Sequence, residues 1–456
     1  MKVLIYNLAM NITEEFDTIT AISTPLGTGG VGVIRISGSK SFDIANNITT
    51  CNNLPPGKIC HGWITDKSKK IDEVIILPFK APNSYTGEDV IEIQCHGGLH
   101  VVKNILDIVI KNGARIAQRG EFTKRAFLNK RIDLSQAEAV DDLIHSKTSE
   151  FAIQSAKNLS GVLAQKINEI KKDIFEAASK IVAGIDFPED VAEPDYPYLI
   201  QIFEKSINEI DKVLANAKSS DILRQGIKVT IAGRPNVGKS SLFNALLNLN
   251  RAIVTEIAGT TRDIISETID LGLPVTLIDT AGIRKNENID KVEEIGIEYS
   301  KQSVRDSDLI LFMYDASEGL TNQDKEIYGI IKDKKHIIIA NKIDIADKSR
   351  AGFDNDLKIS TLTKDGLEEL KEKIKNTVLD FSTDDIEFVT NQRQQTCLIR
   401  CREALGRALY GAKNYQLQDM IYIDLKSSLL CLDEITGEVI NDEILNNIFD
   451  HFCIGK

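Results

Sequence analysis

Gly233-Arg234-Pro235-Asn236-Val237-Gly238-Lys239-Ser240 decides how this chain is read. The stretch fits the phosphate-binding pattern G-x-x-x-x-G-K-[ST], and its flanks supply the context that the pattern needs. The apolar run Ile227 to Ala232 predicts a buried strand before it, and Ser241 to Asn248 predicts a helix after it. The glycines let backbone N–H groups turn onto phosphate oxygens, and the helix N-terminus adds partial positive charge. Asn236, Val237, Gly238, Lys239, Ser240 and Ser241 form the expected cradle, with Lys239 on the β- and γ-phosphates and Ser240 on Mg2+.

Further motifs follow. Asp279-Thr280-Ala281-Gly282 closes the apolar run Val275 to Ile278, which sets Asp279 at a strand tip near Mg2+ and the Gly282 N–H at the γ-phosphate. Asn341-Lys342-Ile343-Asp344 follows the strand predicted over His336 to Ala340. A carboxylate at Asp344 accepts from guanine N1–H and N2–H2, a donor pair that adenine lacks, so the base is read as guanine. Ser360-Thr361-Leu362 fits the weaker loop behind the base. The loop Thr255-Glu256-Ile257-Ala258-Gly259-Thr260-Thr261 lies between the first two motifs, where Thr261 is the expected switch threonine on Mg2+. A chance glycine-rich turn does not account for motifs in this order, so a GTP-binding domain is expected over 223–381.

Hydrolysis needs a positioned water and positive charge at the β–γ bridge. Many GTP-hydrolysing switches place glutamine directly after D-x-x-G; here that position is Ile283, which cannot orient water. Glu287, Glu293, Glu294 and Glu298 follow, and spacing does not choose among them. For the charge, Arg262 and Arg284 are candidates by position, and a monovalent cation is another. Asn236 presents a side-chain oxygen near where that cation would sit, and Thr255 to Thr260 offer carbonyls; the plainer role for Asn236 is a turn residue.

The 456 residues leave room for two to four domains, and 42% hydrophobic with 27% charged residues is ordinary for a globular protein. No run of about 18 apolar residues predicts a membrane span. Met1 to Ala9 lacks the basic region and cleavage site of a signal peptide, and Met10 is an equally acceptable start. The seven cysteines are scattered and form no C-x-x-C; Cys397 and Cys401 share a helical face and read as core. This usage points to a reducing cytosol and no structural metal. A net charge of −12 argues against a bulk polyanion binder. Residues 1–130 nevertheless hold 15 Lys+Arg against 12 Asp+Glu, and Arg115, Arg119, Lys124, Arg125, Lys130 and the adjoining Arg131 concentrate the positive charge. These are either a solvated face or a patch for an anion or an RNA backbone.

Residues 1–130 read as an α+β domain. Strands are predicted at Thr18 to Ile22, Val31 to Ile36, Trp63 to Thr65, Glu73 to Leu77 and Val90 to Gln94, and a helix over Leu99 to Lys111. The turn Thr24 to Gly30 reads as a hairpin or bulge. Two strands carry a charge among apolar neighbours, Arg35 and Glu92. Solvated faces are the plainer reading; the sharper one is a polar pocket offering a donor and an acceptor. Helical periodicity then runs over 131–222 and resumes over 382–456, interrupted between Phe187 and Pro197. The expected architecture is multidomain α+β and α/β: an N-terminal α+β domain, an all-helical domain, and a Ras-like P-loop domain inserted into the helices.

At this point the chain resembles a known family, the bacterial tRNA modification GTPases MnmE, also called TrmE. The resemblance runs from about Asp17 to the last residue. It rests on Gly29-Gly30-Val31-Gly32, Arg35-Ile36-Ser37-Gly38, Tyr85-Thr86-Gly87-Glu88-Asp89-Val90, His96-Gly97-Gly98 and Gly120-Glu121-Phe122-Thr123. Arg125-Ala126-Phe127-Leu128-Asn129, Asp133-Leu134-Ser135-Gln136-Ala137-Glu138-Ala139, the nucleotide motifs and the closing Cys453-Ile454-Gly455-Lys456 extend it. It implies an N-terminal domain, similar to folate-dependent one-carbon enzymes, that forms a homodimer and binds a 5-formyltetrahydrofolate-type ligand at Arg35, Glu92, Arg131 and Lys456. Arg131 stands where lysine is common, keeping charge but not geometry. It implies a K+-dependent GTPase with K+ on Asn236 and the carbonyls of Thr255, Ile257 and Thr260, Mg2+ on Ser240 and Thr261, and Glu293 as catalytic glutamate. It implies an FAD-containing MnmG-type partner and, with it, addition of a carboxymethylaminomethyl or aminomethyl group at C5 of a tRNA wobble uridine in the cytoplasm. Cys453 is a candidate participant.

Other classes fit part of the pattern. A ribosome-assembly GTPase also carries loop asparagine and an apolar residue after D-x-x-G, but needs a second nucleotide domain or an RNA-binding appendage, and the sequence offers only a helical tail. A folate enzyme with a purely regulatory GTP domain is the third reading.

Overall fold

Alternation along two neighbouring strands fixes the first part of the molecule. The computed structural model describes residues 17–51, 53–249, 266–279, 305–346, 352–353, 355–378 and 388–456. Its first compact unit joins residues up to Asp141 with Asp433–Lys456. The strands are β1 (Ile19–Ile22), β2 (Gly29–Ser37), β3 (Cys60–Asp66), β4 (Lys69–Phe79), β5 (Val90–Gly97) and β6 (Arg115–Ile116). With them run helices α1 (Ser41–Ile48), α2 (Leu99–Lys111), α3 (Glu121–Leu128) and the start of α4 (Leu134–Ile144). Ile34, Ile36, Ile91 and Ile93 point to one face and are fully buried against Ile44, Ile48, Ile105 and Val109 of α1 and α2. Burial of each such side chain is worth about 1.5–3 kcal/mol. The sheet order is β3-β4-β5-β2-β1-β6, antiparallel except for the parallel β1–β6 pair. Because side chains alternate, Arg35 and Glu92 fall on the opposite face, directly across from one another in the β2–β5 register.

The second unit, Asp142–Leu432, combines helices with a second sheet. Its elements are α5 (Ser149–Leu159), α6 (Val162–Asp186), α7 (Tyr196–Ala215), α8 (Ala217–Gln225), β7 (Ile227–Ala232), α9 (Lys239–Leu249), β8 (Ser266–Asp270) and β9 (Pro274–Asp279). They continue with β10 (Leu309–Asp315), α10 (Asn322–Ile331), β11 (His336–Asn341), β12 (Leu357–Lys358), α11 (Leu367–Val378), α12 (Gln392–Lys413) and α13 (Gln418–Thr436), the last running on into the first unit. α14 (Asp442–Asp450) precedes the closing tail. The sheet order β12-β11-β10-β7-β9-β8 is parallel apart from β8. Near-continuous apolar strands such as Leu309–Asp315, buried throughout, are what a parallel sheet with both faces covered requires. Phe151 of α5, Leu223 of α8 and Val389 join this sheet's apolar core, so helical and nucleotide parts share one cluster.

One sequence expectation changes. The cysteine reading gave no pairing, but Cys51 and Cys60 form a disulfide with Cα atoms 6.4 Å apart. The cause is tertiary: the Thr50 N–H donates to the Trp63 carbonyl at 2.9 Å, which lays the end of α1 along β3. The closing stretch Asp433–Lys456 groups with the first unit. Phe449 and Phe452, 2% and 1% exposed, are its anchors. α1, whose residues the sequence reading left unassigned, supplies part of the first core.

Candidate functional sites

The phosphate loop emerges from β7 and runs into α9, the strand–loop–helix order expected from its sequence. Val237 is fully buried in the sheet's core and pins the loop from below. Gly238 has φ +103°, and a Cβ there would stand 2.3 Å from Asn341 Nδ2; only glycine permits the approach. The Lys239 ammonium donates to the carbonyls of Gly233 and Arg234, both at 2.8 Å. Ser240 and Ser241 occupy the exposed first turn of α9.

The base-recognition motif meets this loop. Asn341, at the tip of β11 and fully buried, donates from Nδ2 to the Val237 carbonyl at 2.8 Å. Its Oδ1 accepts from the Thr361 N–H at 3.1 Å, which ties in the Ser360-Thr361-Leu362 loop. Ser360 is fully buried. Lys342 Nζ bridges the Asn236 carbonyl at 3.0 Å and Asp315 Oδ2 at 2.7 Å. Burial pushes the Asp315 carboxyl up, but the bonds from Lys342 and Ser317 outweigh it and hold the group below its ordinary value. Ile343 is half-buried and Asp344 is exposed in the turn after β11. The structure therefore joins the phosphate loop, at Asn236 and Val237, to Asn341 and Lys342, and Asn341 to the turn at Ser360-Thr361. The Asp279 backbone ends β9, paired with Ile231 of β7. Thr255, Glu256, Ile257, Ala258, Gly259, Thr260, Thr261, Thr280, Ala281, Gly282 and Glu293 lie outside the described residues.

In the first unit a second constellation forms around Arg35. Its guanidinium contacts Glu92 Oε1 through Nε and Nη2, both at 2.8 Å, with side chains 13% and 20% exposed. The two strand charges thus form a pair, not two solvated faces. Arg35 and Arg131 each stand over the Tyr85 ring, 5.0 and 5.1 Å from its centroid. The tail closes one side: Arg35 Nη1 donates to the Gly455 carbonyl at 3.3 Å, and the Phe122 N–H donates to the Lys456 carbonyl at 3.2 Å. Burial, with the nearby Arg35 charge, holds the Lys456 ammonium below its ordinary pKa. Cys453 is exposed and outside any disulfide. This arrangement offers an aromatic plane, a donor–acceptor edge and cationic groups.

Two members of the basic cluster, Arg115 and Arg125, are tied into a network of carboxylates. Arg125 is 2% exposed and pairs with Asp17, Glu88 and Glu121 at 3.1, 3.2 and 3.0 Å. Arg115 pairs with Asp17 and Glu121 at 2.6 and 2.8 Å. Sequence reasoning took these arginines as a solvated face or a patch for an anion; Glu121 stands four residues before Arg125, but Asp17 is 108 residues away, and spacing carried no signal of that partner.

Two family models cover nearly all of the described chain. One, the MnmE helical domain, matches residues 134–453; the other, the GTP-binding protein TrmE N-terminus, matches 18–131. Among curated relatives, the tRNA modification GTPase MnmE of Caldicellulosiruptor saccharolyticus is 44% identical over 97% of this chain and 100% of its own length. That of Thermoanaerobacter pseudethanolicus is 43% identical over the same shares. Among solved structures, Era from Aquifex aeolicus is 31% identical over 39% of this chain and 66% of its own, with a TM-score of 0.27. With matches that span both its units from the first described strand to the tail, the chain belongs to the MnmE family of tRNA modification GTPases.

Proposed function

We propose that this GTPase, working with an FAD-containing MnmG-type partner, adds a carboxymethylaminomethyl or aminomethyl group at C5 of the wobble uridine of certain tRNAs. The observation that carries the one-carbon part is the Arg35–Glu92 pair beside Tyr85, Arg131 and Lys456. A 5-formyltetrahydrofolate-type ligand has what these residues would hold: a flat ring with donor and acceptor edges, and carboxylates for the cations. When bound, it would supply the one-carbon unit. Arg35 and Glu92 would orient the ring, Tyr85 would stack on it, and Arg131 and Lys456 would take negative charge. The resemblance gives Cys453 a place in this chemistry; its exposure on the tail is compatible with that.

In the nucleotide site, Lys239 would leave its two carbonyls for the β- and γ-phosphates, and Asn341 with Asp344 would select guanine. Ser240 with Thr261 would hold Mg2+, and Asn236 with the carbonyls of Thr255, Ile257 and Thr260 would hold K+. Both ions would supply positive charge against the phosphates. Ser240 in the first helical turn and Asn236 exposed at φ +65° fit those donor sets. Glu293 would position the attacking water. The protein would act as a homodimer in the cytoplasm, where its tRNA substrates are.

The deciding experiment compares tRNA nucleosides by mass spectrometry from cells with and without the gene. Loss of C5-aminomethyl-type wobble uridines on deletion, restored by the wild-type gene, is the expected result. An unchanged profile, with no second copy of the gene, would overturn this reading and favour a ribosome-assembly switch.

A further inference from the structure

We propose that Arg234 is a positioning residue of the phosphate loop, through which Glu318 and Asp324 set the loop's shape without themselves meeting the nucleotide. Arg234 is the second residue of the loop, and its side chain is 15% exposed. It turns away from the cradle: Nη2 lies 2.5 Å from Glu318 Oε2, and Nε lies 3.4 Å from Asp324 Oδ2. Asp324 is fully buried and cannot follow a moving loop. It closes the capping box of α10, accepting from the Thr321 N–H at 3.0 Å and the Thr321 hydroxyl at 2.7 Å. The anchor is therefore the rigid start of a helix.

A second tether comes from the same connection. Asp315, 2% exposed, is held by the Ser317 N–H at 2.9 Å and its hydroxyl at 2.6 Å. Through Lys342 it reaches the Asn236 carbonyl. The segment 315–324 thus holds the loop on both sides of Pro235. Between the tethers the chain adopts φ +65° at Asn236, in the left-handed region that few side chains other than asparagine enter. The Arg234 carbonyl is also one of the two on which Lys239 rests, so displacement of Arg234 shifts the lysine that must reach phosphate.

Charge gives a second reason. Asp315, Glu318 and Asp324 place three carboxylates behind a loop that must receive a polyanion. Lys342 neutralises the first, and Arg234 meets the other two. Loss of Arg234 would both slacken the loop and uncover negative charge.

The test uses the full chain with Arg234→Ala, Arg234→Lys, Glu318→Ala and the Arg234→Ala/Glu318→Ala pair. A fluorescent GDP analogue reports affinity, steady-state turnover gives kcat and KM for GTP, and thermal melting checks the fold. Arg234→Ala should weaken nucleotide binding and raise KM about tenfold while kcat changes less than about threefold. Arg234→Lys should recover part of the affinity, because charge returns without the fork. Glu318 is 57% exposed, so Glu318→Ala tests the tether even if Arg234→Ala fails to fold. It should weaken binding in the same direction, and add little in the Arg234→Ala background. Unchanged or tighter binding in Glu318→Ala, additive effects in the pair, or a fall in kcat at constant KM would each overturn the proposal. The inference rests on the GTP-site reading; failure of the wild-type chain to bind the GDP analogue would overturn that reading first.

Discussion

Arg125 shows what one side chain does when it is taken out of water. It sits 2% exposed among Asp17, Glu88 and Glu121, and also donates to the Asp17 carbonyl at 2.8 Å. Arg125→Met would leave Glu88 and Glu121, only 13% and 12% exposed, without their shared cation. We expect a loss of about 3 kcal/mol, seen as faster amide hydrogen exchange in α3 and β1. The same network sets an acid limit. Arg115 holds Asp17 below its ordinary 3.8; burial would raise Glu121, but bonds from Arg115, the Gln118 N–H and Arg125 hold it below 4.5. Because both carboxyls are depressed in the folded state, their contribution is complete above these ordinary values and is lost as pH falls through the lower folded ones. Protection in α3 should therefore drop below about pH 4 in the wild type, and the acid-dependent part of that drop should be smaller in Arg125→Met.

At the scale of elements, α12 owes its start to a reciprocal cap. Gln394 N–H donates to Asn391 Oδ1 at 2.9 Å, and Asn391 N–H donates to Gln394 Oε1 at 3.1 Å. Asn391→Ala should cost about 1 kcal/mol, read as a lower melting temperature, while Asn391→Asp should retain most of it. A cap that served no purpose would make the two variants equal. This helix also marks where sequence reading works. Its amphipathic period was legible over Asn391 to Lys413, against Gln392–Lys413 observed, as was α2 over Leu99 to Lys111, because apolar spacing is a local property. The phosphate loop was legible for the same reason. The Arg35 and Glu92 charges were visible on their strands, but their partnership needed the β2–β5 register, a pairing 57 residues apart. The Cys51–Cys60 bond, the burial of Arg125 and the grip of Glu318 on Arg234 likewise come from tertiary contacts that no periodicity encodes.

For the whole molecule, the chain's last four residues pack within the unit that its first described strands build. The tail is held mainly by backbone. The Gly120 N–H donates to the Cys453 carbonyl at 3.5 Å, Arg119 bridges Ile454, and Ser23 Oγ donates to the Gly455 carbonyl at 3.3 Å. Gly455 has φ +96°, and a Cβ there would stand 2.5 Å from the Ile22 carbonyl oxygen, so the grip depends on glycine. Deleting Cys453–Lys456 would take from Arg35 its tail carbonyl and from the pocket one of its cations. Binding of 5-formyltetrahydrofolate, measured by calorimetry, should weaken at least about tenfold. GTP turnover should persist, because every described nucleotide-site residue belongs to the second unit. Cys453→Ser separates scaffold from chemistry. It keeps the carbonyl and every contact named above, so ligand affinity should match the wild type while wobble-uridine modification falls. If the serine variant instead lost affinity along with the deletion, the thiol would be part of the scaffold. If it modified tRNA normally, Cys453 would have no place in the reaction.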